Sequence, residues 1–219
     1  MKDFFLFLKL LSQNFSPLRI FQIIELRKIN VVGKTIEFGA QKKEKKNFTY
    51  YIDEKRVEYS NIFTDRKSKI FYADLTKKIN IKSQKYSNIL IFNVLEHLDN
   101  HNQTFNELNR ILKKNGNLIG STPFLYQIHG APKDFFRFTK DFFLEKFKKK
   151  GFRKTKIISL GYGPFVACFS ILFSYIKYLP LINLIIFIVC YLLDVILQIF
   201  VKTKLNEIYP IGFFFIAKK

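Results

Sequence analysis

Cysteine is nearly missing from this chain. There are two in 219 residues, Cys168 and Cys190, both in the apolar C-terminal region. Their spacing outlines neither a disulfide framework nor a metal-ligand set, and as small buried thiols they fit a reducing compartment. No small-residue cleavage site follows the apolar stretch Met1 to Leu11, which Lys9 interrupts, so that stretch does not read as a secretion signal. Acidic residues are also scarce: 17 Asp and Glu against 37 Lys and Arg leave a net charge of +20. That balance attracts phosphate-rich partners, nucleic acid or an anionic membrane surface, although general over-use of Lys, Asn, Ile and Phe gives the same total. A nucleic-acid binder would gather its basic residues on one face with stacking aromatics. Here the lysines are spread widely, apart from local clusters at Lys42 to Lys46 and Lys146 to Lys150, so nucleic acid is not the favoured partner. What remains is a globular composition, 48% hydrophobic and 25% charged, in a chain long enough for one large α/β domain.

Along the chain, Asp3 to Leu11 is apolar nearly all round, and Ser16-Pro17 suits the N-cap and first turn of a second helix. Ile20, Phe21, Ile24 and Leu26 alternate there with Arg19, Gln22, Glu25 and Arg27, the pattern of an amphipathic helix that packs on a sheet. Short apolar runs predict strands at Val57 to Phe63, Asn88 to Phe92 and Asn117 to Ser121, and Lys34 to Ala40 reads as a first core strand with its exit turn. Glu96 and His97 are expected to open the next helix, with Phe105, Leu108, Ile111 and Leu112 on its apolar side. Its stop is placed at Asn115-Gly116, with the glycine left-handed. Phe142 to Lys150 predicts another helix, and Lys154 to Leu160 a sixth strand.

The segment Asn93-Val-Leu-Glu-His97 resembles the one after the fourth strand of class I S-adenosylmethionine-dependent methyltransferases, in particular their type 11 group. Asn106-Glu-Leu-Asn-Arg-Ile-Leu-Lys-Lys-Asn-Gly-Asn-Leu-Ile119 is similar to that family's next conserved segment, in the right order. The resemblance implies a doubly wound, mostly parallel seven-stranded α/β fold and S-adenosyl-L-methionine as cofactor. It implies cofactor contacts from Glu37, Gly39 and Ala40 at the first strand's exit, from Asp74 and Leu75 in Phe71-Tyr-Ala-Asp-Leu75, which is similar to the family's third-strand motif, and from Asn93 after the fourth strand. Glu37 would act on the cofactor's amino group, Gly39 would let the backbone approach it, and Asp74 would accept from the adenine amino group. Two departures stand out. Gln41 and Lys42 occupy places where further glycine is usual, and Phe63 falls where an acidic residue would hold the ribose, with Asp65 two residues later. They leave open a catalytically degenerate, membrane-associated scaffold as a second reading. An RNA methyltransferase, suggested by the charge, is a third.

Thr122 to Thr139 is similar to the "P-F … H-x-x-P-x-D-x-x-R-x-T" loop found in methyltransferases of cell-surface sugar and lipid assembly. By that likeness the acceptor is a small molecule or a lipid-linked glycan precursor, methylated on oxygen. His129 is the candidate catalytic base, since an unperturbed imidazole titrates near pH 6.5. Asp134 and Arg137 are candidate substrate contacts, or pair with each other to hold the loop while Thr139 caps the helix at Lys140. No metal-ligand spacing is present and the transfer requires no metal. The domain reading is N-terminal helices over 1–30, a methyltransferase core over 31–162, an apolar helical insert over 163–204 and a final core strand over 205–219. Leu179 to Val201 carries one charge, Asp194, and as a helix would be about 35 Å long, against a bilayer core of roughly 30 Å. Two helices, Phe165 to Tyr178 and Pro180 to Val201, would dip into one leaflet beside Lys177, Lys202 and Lys204 at the inner face of the membrane of a cytoplasmic protein. Burial of the same surface in a homodimer is the competing arrangement, and Asp194 argues against deep insertion.

Overall fold

The structure, a computed structural model, describes residues 2–63, 69–130 and 132–219. Asp65, the alternative ribose partner, lies outside the described residues. Seven strands form one sheet in the order β3-β2-β1-β4-β5-β7-β6. They are β1 (Thr35–Phe38), β2 (Val57–Asn61), β3 (Ile70–Tyr72), β4 (Tyr86–Phe92), β5 (Leu112–Pro123), β6 (Lys154–Leu160) and β7 (Gly212–Lys218). Neighbours among β1 to β5 run parallel. β7 runs against both of its neighbours: the Phe124 amide bonds to Ile211 O while that of Asn115 bonds to Lys219 O, and Ile211 meets Leu160 while Arg153 meets Lys218. The expected fold class therefore holds, including a helical insert ahead of the last strand.

The chain divides into two compact units. One comprises Ile29–Thr122, Ile128–Ile157 and Phe214–Lys219. Its central strand β4 is buried along both faces, with Ile89, Leu90 and Ile91 at 0% exposure, which is why the sequence there is a continuous apolar run rather than an alternating one. On one side of this unit Phe105 and the Phe143–Phe147 pair join the rings of α3 (His101–Ile111) and α4 (Lys140–Lys149), and Phe215 of β7 meets both Phe143 and Phe147. Each such ring removed from water is worth roughly 1.5–3 kcal/mol.

Three local expectations are corrected. The second strand ends at Asn61, not Phe63, because the Asn61 side chain turns back: its Nδ2 donates to Ala40 O at 2.8 Å and its Oδ1 accepts from the Phe63 amide at 3.0 Å. Glu96 and His97 lie in a short 3-10 turn, Leu95–His97, and α3 begins only after Asn100, whose side chain caps it by accepting from Gln103 N at 3.2 Å. That helix stops at Ile111. The left-handed residue beyond it is Asn115 (φ 61°) rather than Gly116, and it falls where the β4–β5 register slips between Tyr86 and Asn88. Thr139 caps α4 through Phe142 N at 3.3 Å.

The other unit comprises the N-terminal stretch to Lys28, Pro123–Gln127 and Ile158–Phe213. In it α1 (Lys2–Ser12) and α2 (Pro17–Arg27) pack with the insert helices α5 (Pro164–Ile176) and α6 (Pro180–Phe200), and the short α7 (Leu205–Ile208) follows. Phe7 stacks on Phe187 at 4.3 Å, and Phe21, Tyr162, Tyr191 and Phe4 continue the aromatic seam. Cys168 is exposed and Cys190 half-buried, not fully buried as expected, because one face of each of α5 and α6 is exposed among the described residues.

Candidate active site

At the carboxyl ends of β1, β2 and β4 lies a cavity of about 300 Å³. This edge of a parallel sheet is where such folds hold ligands. Phe38, Gly39, Gln41, Asn61, Ile62, Phe63, Ala73, Leu75, Asn93, Val94, His97 and Leu98 line it. The wall is mostly apolar with a few amides, which suits a nucleoside with one polar edge.

Two backbone positions shape the cavity. Gly39 has φ +76°, and a Cβ there would stand 2.5 Å from Cγ2 of Val94. Only glycine leaves that space open at low cost. Asn93 follows β4 with φ 53° and donates its amide to Ser121 O at 2.8 Å. Asn tolerates the left-handed conformation better than most residues.

Of the residues expected to touch the cofactor, Gly39, Leu75 and Asn93 share this wall. Glu37 does not line it. It is 3% exposed, and its carboxylate accepts from Phe48 N at 2.8 Å, Thr49 N at 2.9 Å and Thr49 Oγ1 at 2.7 Å. It thus braces the β1–β2 connection, where Phe48 stacks on Phe92 at 3.9 Å. Ala40 is buried, with its amide bonded to Ser60 O. Asp74 sits between the wall residues Ala73 and Leu75. Its carboxylate accepts from Thr76 N and Thr76 Oγ1 and pairs with Lys77 at 3.5 Å. Burial raises its pKa, but those hydrogen bonds and Lys77 outweigh burial and hold it below the usual carboxylate range. Gln41 and Phe63, the two departures, are wall residues beside an open space.

The loop after β5 folds back onto the 3-10 turn. The Phe135 amide bonds to Glu96 O, and His97 Nδ1 lies 2.6 Å from Lys133 O. Facing a carbonyl, that nitrogen carries the proton. Asp134 and Arg137 pair through two hydrogen bonds, one of 2.7 Å. Arg137 thereby holds the Asp134 carboxyl far below its ordinary value. Asp134 also accepts from the His129 amide at 2.9 Å and lies 3.3 Å from His129 Nδ1. His129 meets His97 edge to face at 4.9 Å, so a residue that lines the cavity touches the candidate base.

Beneath these rings is a group that spacing did not reveal. Glu96 is fully buried, and among the described residues neither of its carboxylate oxygens has a hydrogen-bond partner. Burial pushes its pKa up to about 8. Its Oε1 lies 3.9 Å from His97 Nε2 and 4.0 Å from His129 Nε2. Burial also lowers the pKa of His97. The adjacent Glu-His pair was a visible signal; the third member, 32 positions beyond His97, was not.

A family model, that of a methyltransferase domain, matches residues 32–120, the stretch that builds β1 to most of β5. No curated protein matches the chain by sequence. Among solved structures, an S-adenosylmethionine-dependent methyltransferase from Thermotoga maritima, described as a possible histamine N-methyltransferase, superimposes with a TM-score of 0.58 at 13% identity, over 96% of this chain and 92% of that one. One from Archaeoglobus fulgidus gives 0.58 at 13%, over 90% and 92%. Haemonchus contortus phosphoethanolamine N-methyltransferase 2, in complex with S-adenosyl-L-methionine, gives 0.54 at 14%, over 90% of this chain and 52% of that one. Identities this low establish the fold alone.

Proposed function

We propose that the chain is a class I S-adenosylmethionine-dependent methyltransferase of the type 11 group, as the methyltransferase-domain match over residues 32–120 supports, and that it methylates an oxygen of a lipid-linked or cell-surface glycan precursor at the inner face of a membrane. The cofactor supplies a methyl group already activated on a sulfonium. The chain's own task is then mainly positioning and exclusion of water. Gly39, Leu75 and Asn93 would hold the adenosyl and methionine parts in the cavity, with Phe63 and Ile62 closing its apolar side. Asp74 would present an oxygen to the adenine amino group, and Glu37 would act at one remove by fixing the connection after β1. The acceptor's hydroxyl proton is assigned to the group of Glu96, His97 and His129, with His129 as the base and Asp134 orienting it. Arg137, paired with Asp134, stiffens that loop and adds positive charge for an anionic acceptor.

The observation that carries the membrane part of this reading is α6. Over 21 residues it buries only Asn183, Phe187 and Asp194. Leu181, Ile185, Leu192, Ile196, Ile199 and Phe200 are all more than half exposed. A contiguous apolar face of this size marks a membrane or protein contact, and Lys177, Lys202 and Lys204 at the helix ends favour an anionic bilayer over a second copy of the chain.

The test supplies methyl-labelled S-adenosyl-L-methionine and a membrane extract to the full chain. Label should enter material soluble in organic solvent and resist mild alkali, as an ether does and an ester does not. Label confined to RNA or to protein would overturn the acceptor class. Failure to float with anionic vesicles, together with a dimer in solution, would overturn the membrane contact.

A further inference from the structure

Glu96, His97 and His129 place one carboxylate oxygen and two imidazole nitrogens within 4.8 Å of one another. We propose that these three residues form a binding site for a first-row divalent cation such as Zn2+.

Three observations support this. The first is the carboxylate. A fully buried Glu whose two oxygens bond to no other residue among those described bears a desolvation cost that its own amide and the charge of Arg137 offset only in part. A cation removes that cost.

The second is the orientation of the rings. Histidine ligands generally donate one ring N–H to a carbonyl or carboxylate, which fixes the tautomer and aims the other nitrogen at the metal. His97 does this through Nδ1 to Lys133 O at 2.6 Å, and His129 presents Nδ1 to Asp134 at 3.3 Å. Both Nε2 atoms then face the same Glu96 oxygen, at 3.9 and 4.0 Å.

The third is size. With bonds of roughly 2.0–2.2 Å, ligand atoms of a tetrahedral Zn2+ stand about 3.4 Å apart. The two Glu96–His separations, 3.9 and 4.0 Å, must shorten by about half an ångström, and a separation at the 4.8 Å limit by about 1.4 Å, which movement of the half-exposed loop carrying His129 can supply. Two imidazoles and one carboxylate suit Zn2+ or Fe2+ better than Ca2+ or Mg2+, which take oxygen ligands. Three protein ligands also leave a coordination position for an outside oxygen.

His97 belongs both to this group and to the cavity wall. If the proposed oxygen methylation holds, an acceptor hydroxyl on the open position would release its proton to solvent more readily, and with the ion bound His129 would be a ligand in place of the base role proposed for the metal-free site.

Metal binding is measured without cofactor or acceptor, so its outcome does not depend on the acceptor class. The untagged full chain is freed of metal by a chelator and titrated with Zn2+ by calorimetry and with Co2+ by visible absorption. One equivalent should bind with micromolar or tighter affinity. His129→Gln, on a surface loop where a change leaves the fold intact, should weaken binding at least tenfold. Asp134→Asn should weaken it 10–100-fold, as loss of an outer carboxylate does elsewhere. His101→Gln removes the chain's remaining histidine and should change nothing. Circular dichroism melts confirm that each variant is folded. Absence of stoichiometric binding, or binding that survives both His97→Gln and His129→Gln, overturns the site.

Discussion

The carboxylate of Asp194 in α6 accepts the amide of Val166 at 2.9 Å, and with it that of Phe165 at 3.0 Å, at the start of α5. The charge that seemed to bar α6 from an apolar environment is thus spent on the unpaired N–H groups of another helix, where the helix dipole favours a negative group. Gly163 makes the approach possible, since a Cβ there would lie 2.5 Å from Asp194 Oδ1. Asp194→Ala should lower the stability of the helical unit by roughly 1–3 kcal/mol, because buried donors lose their acceptor. Asp194→Asn, which keeps one oxygen, should lie between it and the native chain in urea unfolding. Equal stability of all three would contradict the cap.

Gly39 offers a sharper test of the cavity. Its positive φ and the nearness of Val94 make Gly39→Ala both strained and obstructing. Affinity for S-adenosyl-L-methionine should fall at least tenfold while the melting temperature moves by only a few degrees. The double variant Gly39→Ala/Val94→Ala should recover part of the loss by removing the methyl that collides. Additive losses would place the fault in the backbone alone.

Glu37 is expected to matter for stability more than for cofactor contact. Its removal strands the amides of Phe48 and Thr49 and leaves the Thr49 hydroxyl with Tyr59 Oη at 3.2 Å. Glu37→Ala should cost about 2–4 kcal/mol in chemical denaturation, as unsatisfied buried partners of a charged group do. An undiminished unfolding midpoint with lost cofactor binding would instead assign the carboxylate to the ligand.

Acid stability should report on Glu58. Burial raises its pKa, but hydrogen bonds from Lys34, Lys85 and Tyr86 outweigh that and bring it down to about 2. A carboxyl depressed on folding stabilises the protein fully above its unfolded value. That contribution fades as pH falls from about 4.5 toward about 2. Glu58→Gln should flatten the fall of the melting temperature across that window and leave the curve near pH 7 parallel to the native one. An unchanged acid limb would remove Glu58 as its source.

Much of the scaffold could be read from the chain because it is written in local terms. The apolar run at β4, the Ser16-Pro17 opening of α2 and the Thr139 cap each depend on neighbours in sequence. The end of α3 could not, because the slip opposite Tyr86 is settled by pairing with another strand, which moves the left-handed turn to Asn115. Nor could the company of Glu96, since His129 reaches it only when the loop after β5 returns to the turn that carries Glu96. Gly39 and Asn93 were visible as candidates, whereas the inward turn of Glu37 depends on the connection holding Phe48 and Thr49, whose path the sequence does not specify. Cys168 was misjudged because an apolar neighbourhood implies burial only when something covers it.

Substitutions on the outer face of α6 should separate membrane contact from catalysis. Changing Leu192, Ile196 and Ile199 to Asn should reduce flotation with anionic vesicles at least tenfold and leave affinity for S-adenosyl-L-methionine unaltered. Retained flotation would move the contact elsewhere.

The most direct measurement is a crystal structure of the chain grown with S-adenosylhomocysteine. The adenosyl group is expected in the cavity at the ends of β1 and β4, against Gly39, Leu75 and Asn93, with Asp74 at the adenine amino group. Density for the ligand at any other place, or an empty cavity at saturating ligand with Gln41 and Phe63 folded across it, would contradict the assignment.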